Sequence, residues 1–112
     1  MVNSREKGKR AEREIAAILR EKYGFADVRR GQQFAGIEGE DIVGLPMLHC
    51  EIKNVQQLNL RDAMAQSERD AKEDQIPVVM HKKNRKPWLV TINLDEFMRM
   101  YKAWLEEWEE IE

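Results

Sequence analysis

Residues 59–74 read as a helix set between two β-rich runs, 47–53 and 77–81. A helix in that position implies an α/β fold, with a mixed central β-sheet flanked by helices. The other elements fit round it. Ser4 is placed as the N-cap of a helix over 5–23, where Ala11, Ile15, Ala16, Ile18 and Leu19 recur at helical spacing and Gly24 follows as a stop. Residues 25–30 and 41–44 read as short strands, and 44–46 as the turn into the strand 47–53. Asn59 caps the second helix, with Asp62 in its first turn and Leu60, Ala63, Met64, Ser67 and Ala71 on a narrow face. The runs 77–81 and 88–92 flank the basic turn 82–87 and predict a hairpin. Asn93 and Glu96 form a capping-box pattern opening a last helix. Leu94, Phe97, Met98, Tyr101, Trp104, Leu105, Trp108 and Ile111 make its apolar stripe. The expected order is αβββαββα.

At 112 residues the chain suits one domain, 1–112, with 93–112 as a C-terminal amphipathic helix. No apolar run approaches the roughly 18 residues a membrane span needs, and the basic N-terminus leads into no signal-type stretch. One cysteine, Cys50, excludes an internal disulfide and fits a reducing cytoplasm. One cysteine and two histidines argue against a structural zinc site. The net charge of −2 is unevenly spread: 94–112 hold seven acids and two bases, and 1–93 hold 17 bases and 14 acids. Basic residues that can meet phosphates are thus present despite the total.

Side chains alternate along the strand 47–53, so His49, Glu51 and Lys53 share a face, Glu51 and Lys53 about 7 Å apart. Asp41 opens the preceding short strand. If that strand pairs with 47–53 as a hairpin, Asp41 lies towards the end that holds Glu51 and Lys53. Glu38 and Glu40 are close by, and which of the three acids points inward stays open. Glu12 falls within the arc of Ile15, Ala16 and Leu19 on the first helix. A buried acid there calls for a pairing partner or a cation, and an acid at the edge of the stripe reaches solvent. Three carboxylates and a lysine suit Mg²⁺, which prefers a few carboxylates plus substrate phosphate. With a water as nucleophile, that set serves phosphodiester hydrolysis.

Lys7-Gly8-Lys9-Arg10-Ala11-Glu12, then Asp41, then Glu51-Ile52-Lys53, resembles the PD-(D/E)XK nuclease superfamily. Within it, the chain is most similar to archaeal-type and phage-encoded Holliday junction resolvases. The segments 66–70 and 77–90 also look like small phage PDDEXK endonucleases, so the resemblance spans roughly 4–101. It implies a restriction-endonuclease-like fold and a metal-dependent endodeoxyribonuclease using Mg²⁺, with Mn²⁺ as a substitute. Glu12, Asp41, Glu51 and the carbonyl of Ile52 are the implied metal ligands, and Lys53 the implied catalytic lysine. Gln66 matches a glutamine often found near such sites; it reads equally as a polar helix residue. Glu40 stands where the superfamily's name has proline, and Gln32 and Gln33 occupy a loop where some relatives carry serine.

The expected function is therefore a structure-selective DNA endonuclease, in first place a Holliday junction resolvase. A nicking or repair nuclease, or a non-catalytic DNA-binding module on the same fold, are the alternatives. Lys7, Lys9, Arg10, Arg29, Arg30, Lys82, Lys83, Arg85 and Lys86 are the expected contacts to branched or duplex DNA. The last helix offers either a homodimer interface or a face that docks on its own sheet.

Overall fold

The computed structural model describes residues 4–31 and 41–111. Gln32, Gln33, Glu38 and Glu40 lie outside the described residues, as does the side chain of Ser4, the expected cap. The elements run α1 (Ser4–Glu21), β1 (Arg29–Arg30), β2 (Ile42–Val43), β3 (Leu48–Asn54), α2 (Leu60–Asp70), β4 (Ile76–Lys82), β5 (Leu89–Ile92) and α3 (Leu94–Ile111). This is the expected αβββαββα order, an α/β architecture consistent with the restriction-endonuclease-like fold.

The central sheet has the order β3-β4-β5. β3 and β4 are parallel, in register from Leu48 with Ile76 to Asn54 with Lys82, and α2 is the crossover between them. β4 and β5 form the predicted antiparallel hairpin. Helices cover both faces. Ala11, Ile15 and Ala16 of α1 pack with Val28, Ile42, Cys50, Ile52, Val78 and Met80. Ala63 and Met64 of α2 close on Val79 from the other side. Beside them the fully buried Ser67 hydroxyl donates to the carbonyl of Val78 at 3.0 Å and lies 3.3 Å from that of His49. That hydroxyl spans the two parallel strands, and only a small side chain lets the helix approach them so closely.

The helix ends follow local chemistry. Asn59 Oδ1 accepts from the Asp62 amide at 3.1 Å, the expected cap. Gly24, at φ 81°, donates its amide to the Arg20 carbonyl and ends α1 in a left-handed cap. α2 stops at Asp70, four residues short of the expected end. Ala71 turns extended, and Gln75 Oε1 accepts from the Lys72 amide to close the following turn.

Two expectations on the strands need correction. The strand over 25–30 shrinks to Arg29–Arg30. β2 pairs antiparallel with β1, not with β3 as a hairpin. The cause lies at Gly44, whose φ is 91° and whose backbone sits against Asp27; a Cβ there would fall 2.1 Å from the Asp27 carbonyl oxygen. That close approach holds β2 beside the β1 segment. Asp41 then joins the two sheets, its carbonyl accepting from the Gly31 amide and its side chain from the Ile52 amide.

α3 does not dock its stripe on the sheet. Leu94, Phe97, Tyr101, Trp104 and Trp108 are 43–71% exposed. The described chain is correspondingly drawn out, 55 × 29 × 28 Å.

Candidate active site

β3 runs through the centre of the core and buries its own acid. Glu51 is only 3% exposed, and the Nε2 of the equally buried His49, one strand step back on the same face, lies 3.2 Å from its Oε1. Its other oxygen, Oε2, is buried with no hydrogen-bond partner among the described residues. Burial alone would raise the Glu51 carboxyl. Hydrogen bonds to His49 and Asp41 and the charges of His49 and Lys53 outweigh it, and the group sits below the ordinary glutamate range.

Asp41 takes the opposite sign. Its Oδ2 accepts from the Ile52 amide at 2.8 Å, which brings the carboxyl to the β3 backbone beside Glu51. Burial, and next the charge of Glu51, push it up to about 7; the Ile52 amide works against them and the charge of Glu12 adds to them. Near neutral pH the Asp41 carboxyl therefore stands close to its midpoint, beside a Glu51 carboxyl that favours the ionised form.

Glu12 reaches this pair from α1, half-buried, with its Oε2 accepting from Arg30 Nε at 2.7 Å. The cost of an acid on the apolar stripe is met by that ion pair, a partner that the sequence pattern does not reveal. Among the described residues, the donor atoms of His49, Glu51 and Asp70 come within 4.8 Å of one another. The expected trio Glu12, Asp41 and Glu51 is set wider. His49 and Asp70 are therefore neighbours of the site that the sequence reading did not assign. The alternation of β3 already placed His49 on the Glu51 face. Nothing local pointed to Asp70, which arrives through the α2 crossover.

Lys53 and Gln66 line one cleft of about 480 Å³ between β3 and α2, together with Asp62 and Arg69. The helix after β3 thus places Gln66 on the same cleft as the lysine. The other histidine, His81, lies 2.9 Å from Thr91 Oγ1, and burial lowers its pKa.

The expected phosphate contacts divide into two groups. Lys83, Arg85 and Lys86 are exposed at the hairpin tip, where Arg85 adopts φ 62° and Gln56 Oε1 accepts from the Asn84 amide. Lys7, Lys9, Arg10 and Arg29 lie on or beside α1, with Lys9 3.6 Å from Glu6 and Arg29 bonded to the Asp27 carbonyl. Lys82 and Arg30 are committed inside the fold. Lys82 pairs with Glu14 at 3.1 Å and lies over the Trp88 ring, whose Nε1 also donates to Glu14. Arg30 holds Glu12.

The model of a family described as phage putative PDDEXK endonuclease matches residues 3–111. The chain belongs to this family. Comparison with curated proteins and with solved structures finds no match. The family's description carries endonuclease activity, and with it DNA as substrate. Among the described residues no helix is long and apolar enough to cross a membrane.

Proposed function

We propose that this PDDEXK endonuclease is a Mg²⁺-dependent, structure-selective enzyme that resolves Holliday junctions, working as a homodimer in the cytoplasm, with 1–112 as one nuclease domain. The observation that carries the metal site is the half-buried Asp41 carboxyl beside the buried Glu51. Two facing carboxyls, one driven up to about 7 and the other with an unpartnered buried oxygen, are a donor set that a divalent cation completes. Hard oxygen donors suit Mg²⁺, and Mn²⁺ substitutes. Glu12, Asp41, Glu51 and the Ile52 carbonyl would hold it. When bound, the ion would neutralise charge growing on the phosphodiester and favour an ionised water.

The chain's own residues do the rest. With an ion bound, Asp41 would be ionised, and both carboxylates could then serve as ligands. His49 fixes the rotamer of Glu51 from within the core. Lys53, on the Glu51 face and open to the cleft, orients the attacking water and offsets charge on the pentavalent phosphorus. Gln66, on the same cleft, would hydrogen-bond the DNA backbone there. The α1 bases and the hairpin tip grip the backbone phosphates. Two such sites in a dimer supply the two symmetric cuts that a four-way junction requires.

The test is cleavage of a labelled synthetic four-way junction beside linear, nicked and flap DNA, in Mg²⁺ and in EDTA. Paired cuts on the junction, absent in EDTA and reduced about 10²–10³-fold in Lys53→Ala, are expected. Full activity of Lys53→Ala would refute the assigned site. Equal cutting of every substrate would make the protein a general or repair nuclease. Tight junction binding without cutting would make it a binding module.

A further inference from the structure

The exposed face of α3 has a pattern of its own. Leu94, Phe97, Tyr101, Trp104 and Trp108 are spaced three, four, three and four residues apart. That is a heptad seam, with a mean period of 3.5, and such a narrow stripe packs against another helix. The rings are already aligned along it. Phe97, Tyr101, Trp104 and Trp108 stack in sequence, with centroids 6.2, 6.0 and 5.8 Å apart.

We infer that α3 is the interface between two copies of this chain, and that the two helices pair antiparallel. The inference rests on the homodimer reading and specifies its surface and orientation. Three observations support a second copy. First, the seam is self-complementary: turned end for end about a point between Tyr101 and Trp104, it sets those two rings across from each other and Phe97 across from Trp108. Second, the charge along α3 is lopsided. Glu106, Glu107, Glu109 and Glu110 crowd the C-terminal turns, and Arg99 and Lys102 balance Asp95 and Glu96 in the N-terminal half. Parallel pairing would set one block of four glutamates against another. Antiparallel pairing about that point removes the block-on-block contact and sets Glu106 across from Arg99, with Glu109 and Glu110 across from Glu96 and Asp95. Third, the area is sufficient. With Met98 and Met100 flanking the seam, seven large side chains are left about half exposed. At 150–250 Å² for a full aromatic side chain they offer on the order of 700 Å² per copy, or about 1,400 Å² for the pair. Specific interfaces bury about 1,200–2,000 Å². The acidity of α3 also sets it apart from any DNA-facing surface.

Sedimentation of the full chain at micromolar concentration is expected to show a dimer. Tyr101→Glu/Trp104→Glu should weaken it about a hundredfold or more, since both charges would be buried in the seam. Circular dichroism of the same variant monitors the fold. Orientation is read by spin labels on Asp95→Cys and, separately, Lys102→Cys, because the native Cys50 is buried. Antiparallel pairing puts the two 95 labels about 22 Å further apart along the axis than parallel pairing would, and keeps the 102 labels close. Equal short distances at both sites would overturn the orientation. A dimer that survives the double substitution would overturn the α3 interface and leave the dimeric nuclease standing. A monomeric wild type, with α3 closed onto the apolar groove that its Met100 and Trp104 already line with Phe25, Leu45 and Met47, would overturn both dimer statements and leave the cleavage assay unaffected.

Discussion

Asp41 is the residue whose chemistry reaches furthest. Its folded carboxyl sits at about 7 against an ordinary 3.8. A carboxyl raised on folding binds its proton more tightly in the native state, so its ionisation destabilises the fold. The penalty is absent below about pH 4, grows as pH rises, and is complete above about 7. Asn at this position imitates the protonated acid: its amide can donate to Glu51, and its oxygen can accept from Ile52. Asp41→Asn is therefore expected to raise the metal-free Tm by several degrees at pH 8 and to change it little at pH 4. It should also remove the Tm gain that wild type shows with Mg²⁺, and abolish cleavage. Thermal melts at the two pH values, with and without the ion, check this. A variant less stable than wild type at pH 8 without metal would show that the carboxylate is not under strain. The sequence made Asp41 a candidate but left Glu38 and Glu40 beside it, because no local pattern ranks three neighbouring acids. What brings Asp41 to the β3 backbone is one contact eleven residues away in sequence, the Ile52 amide, and Glu38 and Glu40 lie outside the described residues. Glu12 is similar: its place on the apolar stripe was legible, and the Arg30 partner that makes it tolerable was not.

At the scale of elements, what was legible had a long period or a cap. α1, β3, α2, the β4–β5 hairpin and α3 all stand within a few residues of their expected bounds. β1 and β2 have two residues each, too few for alternation to register, and their pairing depends on the approach of Gly44 to Asp27. The hairpin was recognised by the basic turn between its strands, and its tip now divides by function. Lys82 is held by Glu14 and Trp88 and braces the hairpin on α1. Lys83, Arg85 and Lys86 are exposed beyond it. Replacing those three with Gln should weaken binding to every DNA shape alike and flatten the slope of log K against log salt by up to about 3. Replacing Lys82 should instead lower stability with little effect on that slope. Binding isotherms across a salt series separate the two, and an unchanged slope in the triple variant would remove the tip from the DNA interface.

Over the whole molecule, charge and exposure are sorted to opposite purposes. Basic residues gather on α1 and the hairpin tip, and the acids of α3 accompany its uncovered aromatic seam. The basic residues suit a polyanion and the acids of α3 repel it, so the candidate site and the proposed dimer contact call for different surfaces. In the proposed dimer the subunits would then be two separate cutters held at a fixed spacing, which can be tested with mixed subunits. Wild type and Lys53→Ala, mixed in equal amounts and allowed to exchange, should give homodimers and heterodimers in a 1:2:1 ratio. Each heterodimer holds one competent site. Junctions cut by the mixture should then accumulate a singly nicked product in place of the paired cuts made by wild type alone. The nicked fraction should grow as the inactive subunit is added in excess. Gel analysis of both labelled strands reads this directly. If the inactive subunit only dilutes the rate and leaves the proportion of paired cuts unchanged, the sites do not act through a shared dimer on one junction, and each cut is an independent event.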